Sequence, residues 1–515
     1  MKKRILSLCV CFVLVFSFFL TSCELDYETI DIGEIESAIR SEISTKKDEA
    51  ETDGDRENNE NNNNSNQKDE EKKPPIEFPD IGGEIELPEY DFKNVEIVAL
   101  TDIGAPNNFP LFSNNGSDYL NSMLYKRQIA IEDMLNVSIN NRICDLGDFN
   151  RFLNHARAIL ISGEDLEIIE GHSRAMLVLA AEGLLSDLNS LEGINTEAPY
   201  WSENAVRDLS TSNGSLFFID GAISLGNMMN AEVMFFNERL MENYRLDSVY
   251  GLVMDGKWTV EEFKRMSLNV ATDNDGIPEF NIESDIFGYV TQERHLAMFS
   301  LYHTGENSVI YDTEKSRFVM NWNSKKTFEA YDNVMSVVNS IAGYCGELEE
   351  KHQVENAFRE GRALFCTDVF INMSYLSCEG EVDIGVAPLP KPDLDAENYC
   401  TPIYVDANLY SISGLSAKAN EAAFVMELMS AYGYARIFDE YMSKSLTNEA
   451  QTESVKLIFS SLNYDLTYLG DMGTSSIISS LMNENPLQST IVSYSAKILN
   501  ERTNWDTKAS LSIGK

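Results

Sequence analysis

An α/β protein of two lobes is what this sequence predicts, on three observations. Short strand-like runs alternate with helical stretches of about 10–15 residues, the pattern of parallel β-α-β units. The chain has 515 residues and is 43% hydrophobic, enough for two lobes after a leader is set aside. It contains no C-x-x-C pair and no internal repeat, which removes zinc ribbons, dithiol redox folds and solenoids from the field.

The folded body begins near Asp91. Val95 to Leu100 reads as a strand and is followed by a loop over Thr101 to Ser117. Leu120, Met123, Leu124, Ile129, Ile131, Met134 and Leu135 recur at helical spacing, and Val137 to Ile143 alternates like a second strand. Phe149 to Ile161 is helical, Leu166 to Ile169 is strand-like, and a helix is expected from about Arg174 to Glu182. In sheets of this kind ligands sit at the carboxyl ends of strands, in the loops before the helices.

Two apolar runs follow, Gly214 to Gly221 and Asn230 to Asn237. Thr259 after Trp258 can cap a helix, with Glu262 completing a capping box. Ala357 to Cys366 starts as helix and passes into strand, and Asp383 to Val386 is another strand. Pro388-Leu389-Pro390-Lys391-Pro392 must run extended, because each proline fixes φ and restricts its predecessor. From about Ala417 the chain is mostly amphipathic helix.

The first 88 residues are organised differently. Met1-Lys2-Lys3-Arg4 is a basic start, Ile5 to Leu20 is an apolar run short for a spanning helix, and Leu20-Thr21-Ser22-Cys23 closes it. That closing tetrad resembles the lipobox of bacterial lipoproteins, which implies cleavage after residue 22 and diacylglycerol on the Cys23 thiol. Residues 23–88 read as a tether. Glu49 to Lys73 is almost wholly charged or amide, with too little apolar surface to offset the entropy of ordering. As a coil of about 65 residues it would span roughly 40–50 Å.

Net charge is −43. Residues 1–22 carry Lys2, Lys3 and Arg4 and no acid, so the remainder is near −46. Such a surface repels phosphate backbones, which argues against nucleic acid, and it repels anionic lipid, so membrane attachment would be through the lipid anchor. Beyond the leader and Cys23, Cys144, Cys345, Cys366, Cys378 and Cys400 are an odd number at irregular spacings, not a disulfide framework.

Five landmarks then occur in order over residues 91–505: Gly183-Leu184-Leu185-Ser186-Asp187-Leu188, Met234-Phe235-Phe236-Asn237-Glu238, Gly256-Lys257-Trp258-Thr259, Phe358-Arg359-Glu360-Gly361-Arg362-Ala363-Leu364-Phe365 and Val386-Ala387-Pro388-Leu389-Pro390. With them the chain resembles the family 1 extracellular solute-binding proteins of bacterial ABC importers. The resemblance implies a two-lobed type II periplasmic-binding fold, with a hinge of crossing strands and additional C-terminal helices. It places lobe one at 89–230, lobe two at 231–385, and the return to lobe one with C-terminal helices at 386–515. It further implies a monomer, a mono- or oligosaccharide ligand captured by lobe closure, permease subunits as partners, no cofactor and no resident metal.

Carried over by position, the resemblance points to Thr101 and Asp102 after the first strand, and to Glu170, Gly171, His172, Ser173 and Arg174 after the third. It points to Asn230 at the crossover, to Gln292, Glu293 and His295 in the second lobe, and to Asp368, Val369 and Phe370, with Phe370 as an aromatic platform where tryptophan is more usual. Asp102, Glu170 and Glu293 suit hydroxyl-rich ligands, since a carboxylate accepts two hydroxyl hydrogen bonds at once.

Other motifs compete. Gly171-His172-Ser173-Arg174-Ala175 lies between strand and helix like a nucleophile elbow but lacks the second glycine, and His295, His303 and His352 stand in no triad context. An exported hydrolase and a surface carbohydrate-capture protein without a transporter therefore remain as alternatives. Asp273-Asn274-Asp275-Gly276 resembles the start of a calcium loop, yet Gly276 comes too early, and a solvated turn is expected. Trp258 is expected in the core, whereas Tyr200-Trp201 and Trp322 are candidates for sugar stacking.

Overall fold

The computed structural model describes residues 91–103, 111–113, 119–347, 351–377, 383–446, 448–483 and 485–512. The leader, Cys23, the tether and Cys378 lie outside the described residues. The strands in chain order are β1 (Val95–Asp102), β2 (Val137–Cys144), β3 (Ile168–His172), β4 (Glu232–Asn237), β5 (Phe287–Gln292), β6 (Val309–Asp312) and β7 (Arg317–Met320). There follow β8 (Gly343–Gly346), β9 (Ala363–Val369), β10 (Ile384–Ala387), β11 (Thr401–Pro402), β12 (Asn408–Ile412) and β13 (Leu462–Asn463).

Two mixed sheets carry the architecture. One has the order β12-β3-β1-β2, with β12 antiparallel to β3 and the others parallel. The other has the order β10-β4-β9-β5-β8. The last six residues of β1 are all buried, as expected of a central parallel strand covered by helices on both faces. Gly214 to Gly221 forms no long strand. It joins the first sheet by one bridge, between Ile219 and Tyr410.

Local signals explain most helix boundaries. Asp148 caps the helix Phe149–Ser162 by accepting from the Arg151 amide at 3.0 Å, and Gly163 ends it at φ 79°. The Thr259 hydroxyl caps the helix Val260–Val270 through the Glu262 amide at 3.4 Å. The Glu262 carboxylate turns instead to Arg265 at 2.8 Å, so a second charge draws off the return half of the predicted box. In the helix Tyr119–Leu135 the buried face is Met123, Leu124, Arg127, Gln128, Ile131 and Leu135. Ile129, predicted on the apolar stripe, is exposed, because the buried face admits the Arg127 guanidinium. That group donates to the carbonyls of Leu111, Ile223 and Met429.

A second core fills the space behind β5 and β9. Trp258, Phe263, Tyr289, Phe299 and Phe365 pack with ring centroids 5.0–6.3 Å apart. The Trp258 indole donates to the Pro388 carbonyl at 3.0 Å, and Lys391 pairs beside it, so the proline-rich stretch is extended and stapled to this core.

Three passages of chain meet between the sheets. Asn230-Ala231 leaves the first sheet, Val369-Phe370 leaves β9, and Ile403-Tyr404 returns. The Phe370 amide donates to the Ala231 carbonyl at 2.9 Å and the Tyr404 amide to the Asn230 carbonyl at 3.0 Å. The 25-residue helix Leu487–Leu511 then straps the exterior. Its Trp505 indole donates to Leu177, Asp506 accepts from Ser212, and the Arg502 guanidinium lies 4.2 Å over the Phe318 ring of β7.

Candidate functional site

The carboxyl ends of β3, β5 and β9 and the chain passages between the sheets bring together a polar cluster. From β3, His172 heads the helix Ser173–Ala181. Its Nδ1 accepts from the Arg174 amide at 3.1 Å, which leaves Nε2 to carry the proton and donate to Asp406 at 3.3 Å. That imidazole, with Arg174 and Arg294 nearby, holds the Asp406 carboxyl below the usual carboxylate range. Arg174 pairs with Asp471 at 3.3 Å and lies 5.3 Å over the Phe149 ring.

From β5, Gln292 precedes the helix Glu293–Tyr302, whose N-terminus has no side-chain cap. Arg294 in its first turn donates to the Tyr404 hydroxyl and lies 4.9 Å over that ring. Among the described residues it makes no ion pair with a carboxylate. His295 is buried, with Nδ1 2.7 Å from Glu232 and Nε2 3.5 Å from Asp368. Burial works against its charge, but the two carboxylates prevail and raise its pKa to about 8. Arg294 and Asp406 lie close enough to bear on the Tyr404 and Tyr468 hydroxyls, both of which burial raises.

The other predicted residues have more structural surroundings. Asp102 is buried, and its carbonyl accepts from Asn408 at 3.2 Å; Thr101 donates to Asn141 at 3.0 Å. Glu170 is 1% exposed and accepts from the Leu111 amide at 3.2 Å and from Asn408 at 3.5 Å. Burial pushes its pKa up to about 8. Asn230 is tied to Gly226 at 3.1 Å, and Glu293 is half-buried at the helix start. Asp368 accepts from Asn372 at 2.8 Å as well as facing His295, and Phe370 packs edge-on against Phe459 at 5.7 Å.

The elbow-like motif has a packing explanation. A Cβ on Gly171 would come within 2.0 Å of the Phe152 ring, so glycine is required by the helix covering β3. The Ser173 hydroxyl donates to the Leu469 carbonyl at 2.8 Å and sits near that of Val405, so its proton goes to the backbone and not to a base. His303 is buried, with Nδ1 2.9 Å from Phe299 of its own helix, and burial lowers its pKa to about 4.

The stacking candidates are core residues. Tyr200 and Trp201 both donate to the buried Glu427, and Trp322 is fully buried with its indole on the Glu306 carbonyl at 3.1 Å. Asp273, Asp275 and Asp285 have carboxylate oxygens within 4.8 Å of one another. Each is engaged in capping the turn: Asp273 takes the Gly276 amide, Asp275 takes Ile277, and Asp285 takes Asn274 and Asn281.

No protein-family profile and no curated protein matches this sequence. Solved structures do match its fold. A cyclic α-maltosyl-1,6-maltose binding protein from Arthrobacter globiformis superposes with a TM-score of 0.54 at 13% identity, covering 80% of this chain and 100% of its own. A sugar transporter protein from Rhizobium etli in an open conformation gives 0.52 at 12% identity, over 81% and 99%. A cyclo/maltodextrin-binding protein complexed with maltotetraose gives 0.51 at 13% identity, over 82% and 98%. The chain has the periplasmic-binding-protein fold.

In this fold, the polar cluster lies where the chain passages between the two sheets meet the ends of β3, β5 and β9. Two of these structural neighbours are sugar-binding proteins by name. Of the residues expected from the sequence, His172, Arg174, Glu293, His295 and Asp368 lie around the junction, together with Glu232, Arg294, Tyr404, Asp406 and Asp471, which the sequence did not single out. Arg294 was within reach, since it lies between the two named positions Glu293 and His295. Tyr404 and Asp406 carry no local signal, as they reach the site only through the return of the chain.

Proposed function

We propose that this protein is the substrate-capturing subunit of an ABC sugar importer, binding an oligosaccharide between the two sheets and held to the membrane by lipid on Cys23. The observation that carries the proposal is the Arg294–Tyr404 pair at the junction of the sheets. A guanidinium on an aromatic face offers a fork of donors beside a ring, the combination that satisfies sugar hydroxyls and C–H faces together. His172 at the end of β3, Arg174 in the helix after it and Asp406 in the return segment add donors and acceptors. Two of the proteins with this fold, the cyclic maltosyl-maltose binder and the maltodextrin binder, take α-glucan oligosaccharides, which supports the same ligand class here.

In this proposal, the lobes of sheet one and sheet two close on the ligand about the three chain passages, and the closed form is presented to permease subunits. The residues carried over in the sequence analysis (Asp102, Glu170, His172, Ser173, Arg174, Asn230, Glu293, His295, Asp368 and Phe370) divide in this reading. His172, Arg174 and Glu293 meet ligand. Asp102, Glu170, Ser173, Asn230, His295, Asp368 and Phe370 support the walls.

The test is thermal unfolding with maltotetraose, a cyclic α-glucan tetrasaccharide, monosaccharides and short peptides. A ligand at about 100 times its Kd adds about 2.7 kcal/mol of stability, a readily seen rise in Tm. A rise with an α-glucan alone supports the proposal; a rise with peptides alone overturns the ligand class. The anchor is tested separately, by fatty-acid labelling that Cys23→Ala should abolish.

A further inference from the structure

The His295 imidazole is enclosed by two carboxylates from two different strands. Glu232 is the first residue of β4, Asp368 is the penultimate residue of β9, and the two strands pair in register there, with Glu232 opposite Val369. All three residues are buried. Both strands end at the crossover: Ala231 precedes Glu232, Phe370 follows Val369, and those two residues are hydrogen-bonded to one another. A carboxylate only accepts, so an imidazole between two of them is fully satisfied only when both nitrogens carry protons.

We propose that His295 is a positioning residue that, when protonated, clasps β4 to β9 at the crossover and thereby holds its neighbour Arg294 in place on Tyr404. Loss of the proton leaves His295 able to donate to one carboxylate only and leaves two buried acids sharing one neutral ring. The crossover then loosens, and the Arg294 side of the junction with it.

Other groups bear on that proton. Arg294 on the same helix opposes it, Glu232 on β4 and Asp368 on β9 favour it, and burial opposes it. Tyr404 on the return segment and Tyr468 beyond it bear on Glu232 and Arg294, and Asp406 on Arg294. The balance leaves the pKa near 8, above the ordinary value of 6.5. The clasp is therefore fully present below pH 6.5 and is lost as pH rises through 8. The device concerns the ligand-free joint and is tested without any ligand, so it can fail or stand independently of the proposed function.

The experiment is hydrogen exchange by mass spectrometry on the full chain without ligand, corrected for intrinsic rates, between pH 6 and 9.5. Protection of peptides covering Ala231, Phe370 and Tyr404 should fall about tenfold through pH 8, well beyond any change in the peptide covering the helix Val260–Val270. His295→Gln should show low crossover protection at every pH, and Asp368→Asn should move the transition to lower pH. Circular dichroism identifies a variant that has failed to fold. Crossover protection independent of pH in the wild type, or a transition that persists in His295→Gln, overturns the proposal.

Discussion

Arg294 donates a hydrogen bond to the hydroxyl of Tyr404 and stacks its guanidinium 4.9 Å above the same ring, across 110 residues of sequence. The contact joins the start of a helix in the second sheet's half of the molecule to the segment returning to the first sheet. It is half-buried, so it is made at the junction itself and not in either core.

Arg294→Ala should cost little stability, because the lost contact is partly solvated and leaves no buried charge. It should weaken saccharide binding about tenfold or more, with Arg294→Lys recovering only part because a point charge lacks the planar fork. Titration calorimetry on the saccharide that raises Tm, set beside apo Tm values, separates the two effects. Unchanged affinity in Arg294→Ala would remove this pair from the binding surface.

The stability of the ligand-free protein should fall as pH rises from about 4 to 8 and level off above. His295 and Glu170 are both raised to about 8 and Asp220 to about 6 by their surroundings, and a raised folded-state pKa is a contribution present at low pH and lost on passing that pKa. Chemical denaturation at several pH values measures this. Glu170→Gln should flatten the slope by removing one buried ionisation while keeping an acceptor for Leu111.

Gly171→Ala should destabilise by about 2 kcal/mol or more, since its Cβ would overlap the Phe152 ring in a packed core. Phe152→Leu in the same chain should recover part of the loss, a coupling that a double-mutant cycle reads directly. Additive losses would show that the clash is relieved elsewhere.

Ser173→Ala should lower stability by about 1 kcal/mol, the worth of one buried hydroxyl bond to a carbonyl, and leave saccharide affinity nearly unchanged. Substrate turnover by the wild type that this variant abolishes would instead establish a hydrolase.

The amino-acid sequence by itself determined the first three strands with their helices, the strand at β10 and, through its resemblance, the fold. β1, the Asp148 and Thr259 caps, the extended proline stretch and the burial of Trp258 all follow from residues within a few positions of one another. Periodicity, capping and restricted φ act over one or two turns of chain, so they can be read in order along it. The tertiary structure decided what that order could not. Tyr200 and Trp201 became core residues because Glu427, more than 220 positions away, receives both. Arg127 became buried because three distant carbonyls converge on it. His295 acquired its two carboxylates because β4 and β9, distant in sequence, are neighbouring strands whose paired ends carry Glu232 and Asp368. Charge and hydrogen-bond partners depend on which distant segments meet, and that is fixed by packing of the whole chain.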